Sequence, residues 1–539
     1  MSLWLRVDTD PPVALYRERA ALAYVDCDLR IPALSTAGVL SRQLSRPPDA
    51  PGEVANLRIG LDNAEGVLTK LWTVPPVRIA ATLYQDADTI FEGLITSIDL
   101  SARASLQLVA GGTQPLSNPL PLRSSAVWGG FGDVVALPIV YGRATVAPVQ
   151  YSQDRRLWLV ADHPVQGIDA VRRDDVATTE WSVRNTVDSV GQAVAIIELA
   201  LPLADGERLA VDVRGRVHPA RGHLLTAPAE ILWDLLANVA GMDLAEADLF
   251  ALRADLSGIE LGGVIDDPLM TTRSQIDRIL ASAGAAWSAG MPGLACAWPP
   301  VDQDDAALAT IDRLTATSLA PTCEDAGLCT VLRVLFDYDF AAGTHRQAVQ
   351  IEAPEAIRQY GRIERELDAG WLHNARLADA LGRAYLAWSA RPVWTVTWRA
   401  DITAGLRPGD WVEITHPESP VQGRHRLTRA DLDLDRGSLA LAVSAPAGQA
   451  PALSAARLSE SFEPLIQAGA HVVYQDGVAT LTIQDDLGQP LSGATVTMDG
   501  AQRRVADAAG RVSFKAARGR HALLVEAAGY QAMTLEIVL

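Results

Sequence analysis

The segment from 360 to 417 constrains the fold more than any other part of this chain. Apolar residues recur at helical spacing between Leu372 and Trp388, which predicts a helix with a broad apolar stripe. Strict alternation follows from Val393 to Trp398 and predicts a strand. A tight turn, Leu406-Arg407-Pro408-Gly409-Asp410, leads into a second strand from Trp411 to Thr415. Helix, strand, turn and strand in this order predict a mixed α+β domain.

The length of the chain predicts several domains rather than one. With 539 residues it is too long for a single hydrophobic core, and about three to five domains are expected. Its 49% apolar and 21% charged residues are typical of a folded protein, and glycine and proline are spread along the chain as in turn-rich β proteins. We therefore predict a multidomain, mainly β protein with α+β insertions.

The charge and the apolar runs exclude several classes of protein. A formal net charge of -19 opposes stable binding of nucleic acid. This charge fits a soluble surface, and it fits equally an acidic lumen along which DNA slides without sticking. The first residues lack the basic and apolar regions of a signal peptide, and no apolar run is long enough to span a membrane. We expect synthesis in a bacterial cytoplasm and no membrane span.

Periodicity and composition divide the chain into six segments. The predicted segments are a β domain over 1–115, a second β domain over 116–220, a helical insertion over 221–290, an α+β domain over 291–450, a linker rich in Ala, Pro and Ser over 451–469, and a small β domain over 470–539. Within the insertion, helices are predicted at 227–240, from Met242 to about Leu256, and from Thr271 onwards. Asp234 is expected on a polar helix face, without a special role.

Three segments resemble the hub and tail-tip proteins of siphophage-like bacterial viruses. They are the strand Phe91–Leu100, the Pro-x-Val-Tyr-Gly-Arg stretch that ends at Arg143, and the Leu-x-Pro-Gly-Asp turn from Leu406 to Asp410. In the second of them, Pro138 fixes an extended backbone and Gly142 permits a bend or a close backbone approach. The resemblance implies β-barrel-like hub domains in a virion tail-tip or baseplate protein.

The same resemblance implies a function in assembly. Three copies would form a ring, each with two similar β domains, that closes the tail tube, organises the tail tip and opens for passage of DNA. The implied partners are a distal tail protein, a tape-measure protein, and a central fibre or receptor-binding protein. A tail-tip hydrolase of cell wall or polysaccharide, and a peripheral receptor-binding or adhesin-like protein, are the alternatives.

The last 70 residues resemble a second family. A pattern Asp-x-x-Gly-x-Pro-Leu-x-Gly-Ala-x-Val begins at Asp485, Asp-x-x-Gly-x-Val-x-Phe begins at Asp507, and Ala-x-Gly-Tyr begins at Ala527. These patterns, in this order, resemble the carboxypeptidase regulatory-like domain, which implies a prealbumin-like sandwich of seven strands. Such a domain on a linker is suited to binding a fibre, another tip protein or a cell-surface glycan.

The residue types of common active sites are not grouped in this sequence. It contains no Gly-x-Ser-x-Gly, no P-loop and no His-Glu-x-x-His. Adjacent carboxylates are predicted to mark turns rather than a catalytic pair; they are Asp174-Asp175, Asp266-Asp267, Asp304-Asp305 and Asp485-Asp486. We predict no catalytic residue and no enzyme activity.

The four cysteines leave three interpretations open. They lack Cys-x-x-Cys spacing, which argues against zinc. Buried thiols, a disulfide, or an iron–sulfur cluster fit the residues, and the resemblance to tail-tip hubs implies Cys296, Cys323 and Cys329 as ligands of the cluster. We expect no cofactor, with the cluster as the alternative.

Tryptophan is unusually frequent, with 13 residues against 7 phenylalanines. Five tryptophans fall in or near the segment from 360 to 417: Trp371, Trp388, Trp394, Trp398 and Trp411. They predict either a domain core or aromatic anchors between subunits, because tryptophan is enriched at the centres of interfaces.

Overall fold

Strands dominate the structure, which confirms a multidomain, mainly β protein. The computed structural model describes these residues: 2–17, 21, 23, 27, 29–44, 56–110, 116, 118–128, 133–242, 244, 249–287, 295–297, 307–316, 319–325, 327–401, 406–436, 438–457, 466–475, 478–485, 490–517, 520–527 and 533–538. They fall into two compact units, Met1–Leu328 with Trp388–Ala450, and Cys329–Ala387 with Pro451–Leu539. No helix among the described residues combines the length and the apolarity needed to cross a membrane.

The first unit begins with a large antiparallel sheet. Its region contains β1 (Leu3–Val7), β2 (Val13–Tyr16), β3 (Leu29–Ile31), β4 (Leu34–Thr36), β5 (Val39–Gln43), β6 (Asn56–Asp62), the short helix α1 (Val67–Leu71), β7 (Ala80–Gln85), β8 (Asp88–Asp99) and β9 (Arg103–Ala110). All of these strands except β5 form one sheet in the order β3-β2-β1-β7-β8-β9-β6-β4. Most pairings are antiparallel, and β2 with β3 is parallel. The described strands up to Ala110, with the exception of β5, therefore form a single sheet.

The second β region forms small sheets. Its strands are β10 (Ile139–Tyr141), β11 (Arg143–Val146), β12 (Val149–Gln150), β13 (Leu157–Ala161), β14 (Gly167–Arg173), β15 (Val176–Thr178), β16 (Trp181–Val187), β17 (Ala193–Leu199) and β18 (Leu209–Arg214). Two sheets of four strands have the orders β11-β18-β14-β15 and β12-β13-β17-β16. A 3-10 turn at Ser125–Trp128 precedes these strands.

The first and third predicted helices lie at their predicted positions, whereas the second is observed from Phe250 and not from Met242. The helical segment contains α2 (Pro228–Trp233), which continues as a π-helical turn over Asp234–Val239, then α3 (Phe250–Asp255), β19 (Gly263–Ile265), α4 (Thr272–Ala283), β20 (Ala285–Trp287) and β21 (Ala295–Ala297). The helix α4 begins where the sequence predicted it, because the Thr271 hydroxyl accepts a hydrogen bond from the Ser274 backbone N–H. Strand β10 pairs with β19, which joins this segment to the second β region.

The remaining strands of the first unit form a seven-stranded sheet. They are β22 (Ala309–Ile311), β23 (Leu319–Glu324), β27 (Val393–Asp401), β28 (Trp411–Ile414), β29 (Gly423–Asp433) and β30 (Ser438–Pro446), and β5 is the seventh. β5 pairs with β29 in antiparallel register, and residues of both large sheets bury into one hydrophobic core. Parts of the segments 1–115 and 291–450, which were predicted as separate domains, thus share a core.

The second unit contains the rest of the predicted α+β domain. Its first part has β24 (Val331–Asp339), β25 (Thr344–Glu352), α5 (Pro354–Tyr360), β26 (Glu364–Ala369) and α6 (Ala375–Ser389). The predicted apolar helix is observed as α6, which begins three residues after Leu372. A strand, β31 (Ser454–Arg457), pairs with β25 in the order β26-β24-β25-β31. It lies inside the predicted linker 451–469, so that prediction was wrong there, because backbone pairing with β25 orders these small residues.

The C-terminal segment has seven strands in two sheets. They are β32 (Ile466–Gln475), β33 (Val478–Asp485), β34 (Thr495–Met498), β35 (Gln502–Val505), β36 (Arg511–Lys515), β37 (Arg520–Glu526) and β38 (Met533–Val538). The orders are β32-β33-β36 and β35-β34-β37-β38, and both sheets contribute to one core that includes Phe514 and Val496. A two-sheet sandwich is therefore observed, and its membership of the carboxypeptidase regulatory-like class stays a prediction.

Candidate functional site

The Leu-x-Pro-Gly-Asp turn has a tightly bonded backbone. The Asp410 carboxylate accepts a hydrogen bond from the Arg407 backbone N–H at 2.7 Å, and Gly409 has a φ of 97°, which favours glycine. The Gly409 N–H donates to the Leu427 carbonyl at 2.8 Å, and the Leu427 N–H donates to the Asp410 carbonyl at 2.8 Å. The turn is therefore fixed against strand β29.

A buried ion pair ties this turn to the helical segment. Arg426 lies with its guanidinium carbon 4.7 Å from the centre of the Trp411 ring and donates to the Gly409 carbonyl at 3.1 Å. It also donates to the Asp255 carboxylate, at the end of α3, at 2.9 Å. The two charged side chains are only 8% and 6% exposed, so each charge depends on the other for compensation.

The tip of the turn is positively charged. Arg407 is exposed, while Arg42 on β5 is partly buried. Burial, followed by the charge of Arg407, lowers the pKa of Arg42. Burial also raises the pKa of the Asp410 carboxyl, although its hydrogen bond from the Arg407 N–H opposes this. A rigid turn with an arginine at its tip is suited to contact an acidic partner.

The Pro-x-Val-Tyr-Gly-Arg stretch contains a close crossing of two backbones. Gly142 has a φ of 55°, and a Cβ atom at this position would lie 2.1 Å from the Leu261 carbonyl oxygen. The predicted close backbone approach at Gly142 is thus confirmed. This close contact of two backbones holds β10 and β11 against the segment that leads into β19.

Asp234 lies at the centre of a buried polar cluster, so the prediction that it sits on a polar helix face was wrong. Its carboxylate is fully buried and accepts hydrogen bonds from the Tyr141 hydroxyl at 2.7 Å and from Arg216 Nε at 2.9 Å. Asn238 donates to its other oxygen at 2.9 Å. Burial raises the pKa of Tyr141 well above its usual value, and Asp234 adds to the shift.

His163 is buried beside this cluster in a neutral form. Its Nε2 accepts the Val140 backbone N–H at 3.0 Å, and its Nδ1 lies 2.8 Å from the Pro164 carbonyl. Burial lowers the pKa of His163 to about 4. The two contacts together assign the proton to Nδ1.

Acid is expected to destabilise the native state through His163. An unfolded histidine binds a proton below a pH of about 6.5, whereas the folded one stays neutral down to a pKa of about 4. The stabilisation is therefore complete above the unfolded pKa and is lost as the pH falls from about 6.5 to 4. Between pH 7 and pH 5 this amounts to about 2 kcal/mol. Between pH 7 and pH 5, the free energy of unfolding of His163→Gln, measured with urea, should fall by about 2 kcal/mol less than that of wild type. An equal fall in both proteins would contradict the lowered pKa of His163.

Three of the five tryptophans are buried within the chain. Trp371, Trp398 and Trp411 are 1%, 3% and 7% exposed. Trp388 packs partly buried against Leu44 and Ala286, and Trp394 packs partly buried against the core of the first unit. Core packing therefore describes the first three positions, while a role between subunits stays a prediction for all five.

The described residues include the side chains of two of the three proposed cluster ligands. Cys323 is exposed on β23, and Cys329 is buried with its thiol donating to the Val331 carbonyl at 3.2 Å. The side chain of Cys296 lies outside the described residues. Among those described, no three His, Cys, Asp or Glu side chains form a group that could hold a metal. The cluster stays a hypothesis.

The described carboxylate pairs lie in turns. Asp174 and Asp175 adopt left-handed φ values of 44° and 66° between β14 and β15. Asp267 accepts the Leu269 backbone N–H at 2.8 Å, just before α4. The pair Asp304-Asp305 and residue Asp486 lie outside the described residues, and Asp485 ends β33.

One cavity of about 870 Å³ lies along strands β4, β6 and β9. Its described lining includes Arg58, Arg103 and several hydroxyl groups, and Asp62 is the one acidic residue among those described. Glycoside hydrolysis uses two carboxyl groups, so this lining does not match that chemistry.

Comparison with known proteins finds similarity only at the level of structure. No protein-family model matches the chain, and no curated protein matches it in sequence. A protein of the virion of a native gene transfer agent particle is 13% identical with a TM-score of 0.42, over 60% of this chain and 88% of that one. A tail protein from Neisseria meningitidis MC58 is 11% identical with a TM-score of 0.40, over 82% and 96%. The 43 kDa tail protein of prophage MuSo2 from Shewanella oneidensis is 7% identical with a TM-score of 0.41, over 83% and 98%.

Proposed function

We propose that this protein is a structural hub at the tip of a phage tail. The observation that carries the proposal is the core shared by two segments that each resemble tail-hub proteins in sequence. Strand β8, which contains Phe91-Glu92-Gly93, and the turn at 406–410 belong to sheets packed on one hydrophobic core and joined by the β5–β29 pairing. A single β unit built from distant parts of the chain suits a ring subunit, because it presents a rigid surface to its neighbours.

The fixed turn supports the same proposal. Its tip carries exposed Arg407, and its base is locked by Arg426, Asp255 and Trp411. A contact surface held in this way loses little conformational entropy on assembly. In the proposed role, three copies form a ring that closes the tail tube, organises the tip and opens for DNA. A distal tail protein, a tape-measure protein and a central fibre or receptor-binding protein are its proposed neighbours in the virion.

Native mass spectrometry of the purified protein tests the ring. Three copies of the 57.5 kDa chain give a mass of about 172 kDa, which is the expected species. Iron measured on the same sample tests the cluster at Cys296, Cys323 and Cys329. A monomer at micromolar concentration, also in the presence of a co-expressed distal tail protein, would contradict the ring.

Hydrolysis assays separate the proposal from its main competitor. The purified protein should release no soluble fragments from cell wall or from surface polysaccharide, with a known lysozyme as the positive control. Release of fragments at rates above a heat-denatured sample would favour a tail-tip hydrolase instead.

A further inference from the structure

Basic residues are segregated within the C-terminal sandwich. Residues 503–520 contain six basic residues and one acidic residue, Asp507, a formal charge of +5 and the highest of any stretch of this length in the chain. The rest of the sandwich, 470–502 and 521–539, contains six acidic residues and no Lys or Arg. In a protein with a net charge of -19, this arrangement makes one part of a small domain strongly positive.

The fold places four of these basic residues, on β35 and β36, on one narrow side of the sandwich. β35 is an edge strand of one sheet and β36 is an edge strand of the other. The Gln502 side-chain amide donates to the Lys515 carbonyl at 3.1 Å, so the two edges lie next to each other. Four side chains of this basic side are exposed: Arg503, Arg504, Arg511 and Lys515. Within the described part of the chain, none of the four forms an ion pair.

The chemistry of this side favours an anionic ligand recognised by charge. Phe514 is 1% exposed, so its ring cannot stack on a sugar or a base. The Asp507 carboxylate accepts hydrogen bonds from the backbone N–H groups of Ala509 and Arg511. It forms no ion pair with the four exposed basic side chains among the described residues. Exposed arginine and lysine side chains attract phosphate or carboxylate groups through charge and hydrogen bonds.

We propose that the basic side binds a flexible, linear polyanion that bears phosphate or carboxylate groups, of the kind found in cell-surface polymers. A flexible chain can contact the short strands β35 and β36 alone. A DNA duplex is stiff over about 150 base pairs, so it would also meet the acidic remainder of the protein and be repelled. The proposal depends only on the sandwich and does not rest on the role as a tail hub.

Fluorescence polarisation with the full-length protein tests the proposal. The labelled probes are polyphosphate, polygalacturonate and a duplex of 30 base pairs. One of the first two should bind at 50 mM salt, and its affinity should fall about 50-fold between 50 and 200 mM salt if four charges make contact. Binding of polyphosphate identifies phosphate as the anion, and binding of polygalacturonate identifies carboxylate.

Two variants of equal charge assign the binding to the basic side. The test variant carries Arg503→Gln, Arg504→Gln, Arg511→Gln and Lys515→Gln, and the matched control carries Arg58→Gln, Arg103→Gln, Arg358→Gln and Arg436→Gln, which are also exposed. With unchanged thermal unfolding, the test variant should lose at least about tenfold in affinity and the control less than about threefold. Absence of binding by wild type, equal losses in both variants, or tighter binding of the duplex would overturn the proposal.

Discussion

Replacing Asp234 by alanine is expected to destabilise the first unit by about 3 kcal/mol, because it removes a buried carboxylate that is paired with the partly buried Arg216. The Asp234 carboxylate is fully buried and accepts hydrogen bonds from Tyr141 and Arg216. Alanine would also leave the buried Tyr141 hydroxyl without this acceptor. The shift of the urea midpoint, at unchanged slope, measures the loss.

Two further variants show whether the effect belongs to the cluster. Asp205→Ala removes a carboxylate that is fully exposed, so a change within about 0.5 kcal/mol is expected. Tyr141→Phe removes one hydrogen bond to Asp234 and should cost about 1 kcal/mol. If Asp234→Ala costs no more than Tyr141→Phe, the ion pair with Arg216 contributes nothing measurable.

Local patterns predicted the elements of this fold well. The alternation from Val393 to Trp398 became β27, and Thr271 became the N-cap of α4. The Gly-Asp turn before Trp411 is observed with its glycine at positive φ. These features depend on neighbours within a few residues, so their physical causes are visible in the sequence itself.

Pairings between distant segments could not be predicted in the same way. β5 lies nearly 400 residues before its partner β29, and the sequence of Val39–Gln43 does not indicate which strand it pairs with. The small residues of β31 carry no alternation, a pattern typical of a linker, yet the strand pairs with β25. Which strand pairs with which, and in what register, depends on the whole surface that the strand covers in the folded protein.

The buried cluster around Asp234 shows a similar limit. Asp234 follows Ile231 by three residues and therefore lies on the apolar stripe of its helix, a signal that the sequence does contain. Its partners Tyr141 and Arg216 come from strands far along the chain. A carboxylate on an apolar stripe can be buried only where a polar partner compensates it. Here the partners come from distant segments, so they are visible in the fold but not in the local sequence.

Gly142 should tolerate alanine poorly, with an expected loss of about 4 kcal/mol. Part of this loss is conformational, since a φ of 55° costs a residue with a Cβ about 1–2 kcal/mol. The larger part is steric, because the new Cβ would lie 2.1 Å from the Leu261 carbonyl oxygen and the two backbones would have to separate. Urea unfolding of Gly142→Ala measures the sum.

Gly222 provides the matched control for this prediction. Its φ of 71° is also left-handed, but a Cβ atom there would meet nothing within 4 Å. Gly222→Ala should therefore cost only the conformational part, about 1 kcal/mol. The difference between the two variants isolates the backbone crossing at Leu261. Equal losses would mean that the crossing relaxes freely, and the Pro-x-Val-Tyr-Gly-Arg stretch would then need its glycine for the turn alone.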